Sequence, residues 1–169
     1  MGLIFGNKLP MFKLGYPTVS DKYNVDSGVL ASGEEAVPYG TILAYGDASG
    51  KFIVWDGADV TKVAGPMCAV NVKLADPFTD EVKVFPGEAC SPMRDGYIAL
   101  AVDPAIDAKT LVEGTAVKVT VTEGKVVLGT SGTVIPGWYF TGLTEVKAKN
   151  EKGVATSVLA EVEIVRHGA

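Results

Sequence analysis

Histidine occurs once in these 169 residues, and cysteine and arginine twice each. Those scarcities exclude most site chemistry before any fold is drawn. Nucleophilic catalysis by serine needs a base beside the hydroxyl, and the sole imidazole, His167, lies near the C-terminal end of the chain, in a stretch expected to fray. Ser131, in Gly129-Thr-Ser-Gly132, lacks the Gly-x-Ser-x-Gly spacing of a nucleophile elbow. One histidine and two well-separated cysteines cannot close a tetrahedral zinc site without carboxylates. Gly50-Lys51 lacks the earlier glycine and the following Ser or Thr of a phosphate-binding loop. Asp47, Asp56 and Asp59 surround two turns but do not follow a calcium-loop spacing, and turn aspartates more often serve their own backbone. No cofactor, no metal and no catalytic centre is expected. A carboxylate pair for glycoside hydrolysis is the one arrangement that the sequence leaves open, because the fold sets its spacing.

Charge of one sign is scarce too. Arg94 and Arg166 are the two arginines, the lysines stand singly, and the net charge is −5 with a pI near 4.9. Nucleic-acid binding draws on clustered phosphate-neutralising cations, so no nucleic-acid partner is expected. No apolar run approaches the length of a membrane span, so no membrane partner is expected either. The start, Met1-Gly-Leu-Ile-Phe-Gly6, has neither the basic region nor the long apolar region of a secretion signal, and Gly6 departs from the myristoylation pattern. Cytoplasmic synthesis is the corresponding expectation. Cys68 and Cys90 are too few for a disulfide framework in a chain of this length. Reduced, buried thiols are the plainer expectation and a single bridge is the alternative.

What is present is β structure and turns. Hydrophobic residues make up 47% and charged residues 21%, which fits a globular chain. The 20 glycines and nine prolines fall between short apolar runs, where they act as turn residues. From Val37 onward the period is two: Val70, Val72 and Leu74 alternate with polar residues, as do Val117, Val119 and Val121. Val158, Ala160, Val162 and Ile164 share one side of a last strand, with Glu161 and Glu163 on the other. Turn signals at Ala48-Ser-Gly50, Asp56-Gly57, Glu123-Gly124, Ser131-Gly132, Pro136-Gly137 and Lys152-Gly153 separate the runs. The helical candidate follows Asp103-Pro104, where Asp caps and Pro occupies the first turn, and Gly114 ends it. Gly40 to Val54 and Gly114 to Leu128 repeat a strand, Gly-Lys turn, strand pattern at one offset, through duplication or through the commonness of such hairpins. The fold class is therefore all-β, barrel-like or tulip-like, with at most one or two short helices.

Residues 1–33 read differently from 34–169. Leu3, Ile4, Phe5, Leu9, Met11, Phe12 and Leu14 are apolar, but Gly2, Gly6, Pro10, Gly15 and Pro17 break any period. Such a segment either crosses its own domain as an irregular strand or forms an arm that docks on a neighbour. Tyr39, Tyr45, Phe52, Trp55, Tyr97, Trp138, Tyr139 and Phe140 occupy strand positions, where rings fill a core more often than they line a sugar-binding face.

One pattern is more specific. Gly40-Thr-Ile-Leu43 leads to Gly50-Lys-Phe-Ile-Val-Trp-Asp-Gly57, then to Val63-Ala-Gly65 and Cys68-Ala-Val70, with Lys83-Val-Phe-Pro-Gly-Glu-Ala89 as a further strand and turn. This run resembles tailed-phage head decoration proteins. The later Gly124-Lys-Val-Val127, Val134-Ile-Pro-Gly-Trp138 and Glu161-Val-Glu-Ile-Val165 are similar to the related capsid cement proteins. The resemblance implies a β-tulip-like domain that binds the outside of a capsid as a homotrimer, with the major capsid protein as partner. It also implies a virion location, no enzymatic activity, and a capsid-contacting arm at Leu3, Ile4, Phe5, Leu9, Met11 and Phe12. The rival expectation is a carbohydrate-binding or adhesin-type β module, which requires Trp138, Tyr139 or Tyr97 exposed around a groove.

Overall fold

Alternating apolar residues separated by glycine turns make strands, and strands account for 55% of the chain in its computed structural model, with 4% helical and no helix of seven or more residues. The structure describes residues 12–19, 23–69 and 82–165. The strand expected over Val70, Val72 and Leu74 lies outside them, as does His167. In chain order the strands are β1 (Asn24–Val25), β2 (Gly28–Leu30), β3 (Val37–Pro38), β4 (Ile42–Tyr45), β5 (Lys51–Val54), β6 (Val63–Pro66) and β7 (Lys83–Val84). There follow β8 (Ala89–Cys90), β9 (Met93–Val102), β10 (Thr115–Thr122), β11 (Lys125–Gly129), β12 (Thr133–Lys149) and β13 (Ala155–Ile164).

The larger sheet runs β1-β9-β11-β10-β12-β13, and β9 also pairs with β13. The ladder therefore returns on itself through β9, and the sheets curl into a half-barrel-like form. The seam is slight where β11 meets β9, a parallel contact of Leu128 with Val102. The β9–β13 side is long, running from Val158↔Val102 to Ile164↔Gly96. Register fixes what faces inward: Ile98, Leu100 and Val102 of β9 meet Val117, Val119, Leu128, Trp138, Phe140, Val162 and Ile164, all buried. A one-residue slip would turn each of these outward, so the alternation seen in the sequence locks the register.

The second sheet, β6-β4-β5-β2-β8, lies against that core. Its strand β4, between β6 and β5, is buried on both faces. Ile42 and Ala44 join the barrel core, while Leu43, between them, points into a second core with Leu30, Tyr39, Phe52, Met67, Val84 and Cys90. The short β3–β7 pair contributes Val84 to that second core. Both expected Gly-Lys hairpins form, as β4–β5 and β10–β11, but in different sheets. In the latter, Glu123 (φ 51°) and Gly124 (φ 74°) both adopt the left-handed conformation that a tight hairpin of this twist requires.

Two expectations are corrected. The segment after Asp103-Pro104 is not an α-helix. Asp103 Oδ1 accepts from the Ala105 amide, and Asp107 caps a three-residue 3-10 turn, Ala108–Thr110. Ile106 and Leu111 are too few apolar anchors to hold a longer helix on the barrel. Pro136-Gly137 is not a turn either: it lies within β12, where Gly137 has φ 79° and its carbonyl accepts from the Val165 amide.

The second sheet lies directly against β9 at Gly65 of β6. A Cβ there would lie 2.0 Å from the carbonyl oxygen of Met93 in β9, and Gly65 has φ 142°. No side chain fits, and the obstacle is backbone that cannot rotate away. Gly65→Ala is expected to cost about 3 kcal/mol or more, at the high end of single substitutions. Gly33→Ala, with nothing within 4 Å of the added methyl, should change stability by about 0.5 kcal/mol at most. Paired urea melts check this, and equal midpoints for the two variants would refute the close approach.

Candidate attachment surface

Several of the polar groups that chemistry would need are occupied by the fold. Asp56 Oδ1 accepts from the Ala58 amide, and Asp59 Oδ1 accepts from the amide and hydroxyl of Thr61 at 2.9 and 2.6 Å. Those Thr61 bonds, side chain first, hold the Asp59 carboxyl below its usual pKa. They make Asp59 a cap for the 3-10 turn Val60–Lys62. On the outer face of β13, Glu161 accepts from the Thr141 hydroxyl at 2.8 Å, and Glu163 accepts from the Tyr97 hydroxyl at 2.8 Å. The hydrogen bond to Glu163 raises the Tyr97 pKa. Among the described residues no group of three or more His, Cys, Asp or Glu side chains is placed to hold a metal ion.

The aromatic residues separate the two binding expectations. Trp55, Trp138, Phe52, Phe140 and Tyr39 are buried in the two cores, and Trp138 keeps only 4% of its surface. Tyr97 and Tyr139 are half-buried and Tyr45 is exposed, but Tyr45 gives its hydroxyl to Asp26, which also pairs with Arg94 at 2.9 Å. Of the three rings that the carbohydrate-binding expectation named, Trp138 is buried, whereas Tyr97 lines a shallow cleft with Tyr23, Asp95 and Glu163.

Apolar surface is where the chain has something unspent. Of the six residues expected to contact a capsid, Leu3, Ile4, Phe5, Leu9 and Met11 lie outside the described residues. Phe12 is described and is buried, packed on Ala99 and Leu159 with its amide donating to Glu145 Oε2 at 2.7 Å. Residues 15–18 pair along the β9 edge away from β13, with the Gly15 and Thr18 amides bonded to the Ala99 and Tyr97 carbonyls. Further on, β1 and β2 are strands of the two sheets and Leu30 is fully buried.

A second apolar feature escaped the sequence analysis. β12 and β13 outrun the barrel: β9 ends opposite Val158, so the ladder from Val146↔Val158 to Lys149↔Ala155 continues as two strands alone. Leu143, Val146 and Val154 are 48%, 46% and 58% exposed on or beside this overhang. The sequence signal was the run from Thr133 to Lys149, too long for an ordinary strand and broken only by Pro136, Gly137 and Gly142. A third feature is a cleft of about 320 Å³ between the barrel and the second sheet, lined by Leu14, Thr41, Val54, Ala101, Lys125 and Val126 among others.

Comparison with known proteins fits this chemistry-poor, contact-rich surface. The family model described as "Structural cement protein (E217 gp24/Pam3 gp6)" matches residues 15–165. The chain belongs to the structural cement protein family. A chain in the solved structure titled "The capsid of Myoviridae Phage XM1" is similar in fold, with a TM-score of 0.59 at 11% identity, over 92% of this chain and 91% of that one. No curated protein matches.

The cement protein's two thiols illustrate how completely reactive groups are enclosed. Met67 bridges Pro92 and the Cys68 amide bonds the Ser91 carbonyl, so Cys68 stands opposite Ser91 rather than Cys90. The two side chains point to opposite faces: Cys68 enters the barrel core and Cys90 the second core. A bridge would require a register slip, and both cysteines are free. Burial pushes Cys68 up to about 12 and Cys90 up to about 11, from 9.0. An acid whose pKa rises on folding contributes stability below its unfolded pKa and loses it as pH climbs through the folded value. The melting temperature of this cement protein should therefore fall as pH rises from 9 to 11, and the fall should be shallower in Cys90→Ala. Ellman's reagent at pH 8 should label neither thiol in the native protein and both after unfolding. Rapid native labelling would contradict the assignment.

Proposed function

We infer that this chain is a virion structural protein that binds the outside of a phage capsid and stabilises it by bridging capsid subunits. The family match over residues 15–165 carries the inference, and the XM1 capsid chain supports it through the fold alone. The major capsid protein is the proposed partner and the role is non-enzymatic. The proposed assembly is a homotrimer made in the host cytoplasm, because three-fold symmetry repeats each contact at no further sequence cost and matches three-fold positions of a capsid. Several weak contacts per assembly then hold together where one would exchange.

The proposed docking set is Leu3, Ile4, Phe5, Leu9 and Met11. Phe12 is left out because its ring already serves the domain's own core. The boundary between arm and domain accordingly falls between Met11 and Phe12 for experimental purposes. Burying each large apolar side chain stabilises a contact by about 1.5–3 kcal/mol, so a few anchors outweigh partial ordering of the segment.

Deleting residues 1–11 is expected to leave the melting temperature within about 2 °C, below the shift that 1 kcal/mol produces in a domain of this size. The same deletion should abolish co-sedimentation with capsids of the matching phage. Phe12→Ala, by contrast, should cost about 3–4 kcal/mol of stability. Retention of the truncated protein on capsids would remove the arm from the attachment surface, and failure of the full chain to bind would remove the function itself. Sedimentation equilibrium of the full chain tests the assembly: a trimer of 17.6 kDa chains is expected, and a dimer would move the protein to two-fold positions.

A further inference from the structure

The two ends of strand β13 lie in surroundings of opposite charge. At one end, past the last pairing with β9, β12 and β13 continue as a ribbon of two strands alone. Such a ribbon is marginal in water by itself, and this one leaves Val146 and Val154 exposed. Val146 sits opposite the buried Val158, so it carries the apolar face of the barrel past the barrel's own cover. The tip is nevertheless fixed. Asn150 Oδ1 accepts from the Lys152 and Val154 amides, and the Asn150 amide donates to the Val154 carbonyl. The ribbon bears Lys147, Lys149 and Lys152 against Glu145 and Glu151, in a chain whose net charge is −5. Lys147 is paired with Glu145, whereas Lys149 and Lys152 are exposed and make no ion pair among the described residues.

At the other end, beside Ile164, a shallow cleft of about 460 Å³ is lined by Tyr23, Asn24, Asp95, Tyr97 and Glu163. Asp95 and Tyr97 stand two apart on β9 and so share a face, and Glu163, opposite Tyr97, accepts from its hydroxyl. Asp95 is exposed and makes no ion pair among the described residues. None of the described residues of the cleft wall is Lys or Arg. The nearest cation in sequence, Arg94, falls on the opposite face of β9 and is held by Asp26. Negative potential extends past the cleft: behind the Glu163 hydrogen bond and burial, the charges of Glu163, Glu161 and Glu113 all help to raise the Tyr97 pKa.

We propose that the lysine-bearing tip of the β12–β13 ribbon of one copy docks in the Asp95–Glu163 cleft of a second copy. Charge selects this occupant, since two unpaired lysines on a fixed turn meet carboxylates that no cation of their own cleft offsets. The faces of Tyr23 and Tyr97 attract ammonium groups and give apolar surface to the lysine stems and to Val154. The two surfaces do not meet within one copy, because β13 holds Ala155 and Glu163 apart by about 25 Å at its ordinary rise per residue. Unlike surfaces are joined, so the contact repeats from copy to copy until rotation closes a ring, and the trimer proposed above is such a ring. The proposal rests on self-association of this chain and not on the capsid as partner.

Sedimentation velocity on the full chain without capsids tests this at about 0.1 M and about 1 M salt, between which the Debye length falls from about 10 Å to about 3 Å. Wild type is expected to self-associate at the lower salt and to weaken at the higher. At the lower salt, Asp95→Lys alone, and Lys149→Glu together with Lys152→Glu, should each weaken the dissociation constant at least about tenfold. Glu35→Lys, a reversal at an exposed loop position away from both surfaces, should not. A chain carrying all three reversals should regain association over either set alone, because the two signs have changed places. Circular dichroism and thermal melting report whether each variant folds, and Asp95→Asn carries the acidic side of the test if Asp95→Lys does not. The proposal is overturned by a monomeric wild type, by folded reversals that associate as wild type does, or by an equal loss in Glu35→Lys. A monomeric wild type removes the trimer as well, whereas association untouched by the reversals removes only this contact. Co-sedimentation with capsids in either case leaves the attachment function standing.

Discussion

Two β layers can share a core only as closely as their backbones allow, and here that limit is set at Gly65. Its missing side chain lets β6 lie against the Met93 carbonyl of β9, and the rest of the fold follows from that contact. With β6 held there, β4 is placed so that Ile42 and Ala44 complete the barrel core while Leu43 begins the second one. The second core then positions Met67 and Cys90, and through the Met67–Pro92 bridge it fixes where β9 starts. Any side chain at Gly65 would push the sheets apart and open both cores at once, which is a larger loss than the methyl itself would suggest. β9 is thereby the strand on which everything is hung: β13 pairs along one edge and residues 15–18 along the other.

Much of the barrel was legible because a two-residue period leaves little choice. Val117 and Val119, and Val158 through Ile164, bury the face that their alternation announces, and glycine pairs mark the hairpins between them. What the alternation could not convey is which sheet a strand joins. β4–β5 and β10–β11 share one sequence pattern yet sit in different sheets, because the deciding contacts are made by distant partners such as Met93 and Pro66 rather than by the hairpin. The helix expected after Asp103 failed for a related reason. Asp103 only bonds the Ala105 amide in a turn and Asp107 caps the 3-10 turn that forms instead, and too few apolar residues follow to extend either into a helix.

The attachment surface was less legible than the fold. Irregular apolar residues in the first fourteen positions suggested an arm, yet Phe12 and Leu14 look the same in sequence as Leu3 or Phe5. Only the placement of Ala99 and Leu159 decides that Phe12 belongs to the domain. The overhang of β12 and β13 carried a readable signal in its length, but exposure is relative to neighbouring strands. Val146 sits opposite the buried Val158 and is exposed only because no further strand covers it at that level. The cleft had no sequence signal, since its walls come from six separate stretches of chain.

A structural cement protein is free to spend polar groups on its own rigidity, and this chain does so in several loops. Asp56, Asp59, Asp103, Asp107 and Asn150 each bond amides of their own loops, and Glu161 and Glu163 are tied to Thr141 and Tyr97. A loop fixed in this way loses little entropy when a partner covers it, so more of the contact energy remains for holding the partner. Cement function adds the demand that many copies act together on a lattice under outward load. Stiff domains transmit that load between their contacts, whereas compliance belongs in the segments that join one body to the next. The barrel closed through β9, with Phe12 packed on its outside, supplies that stiffness.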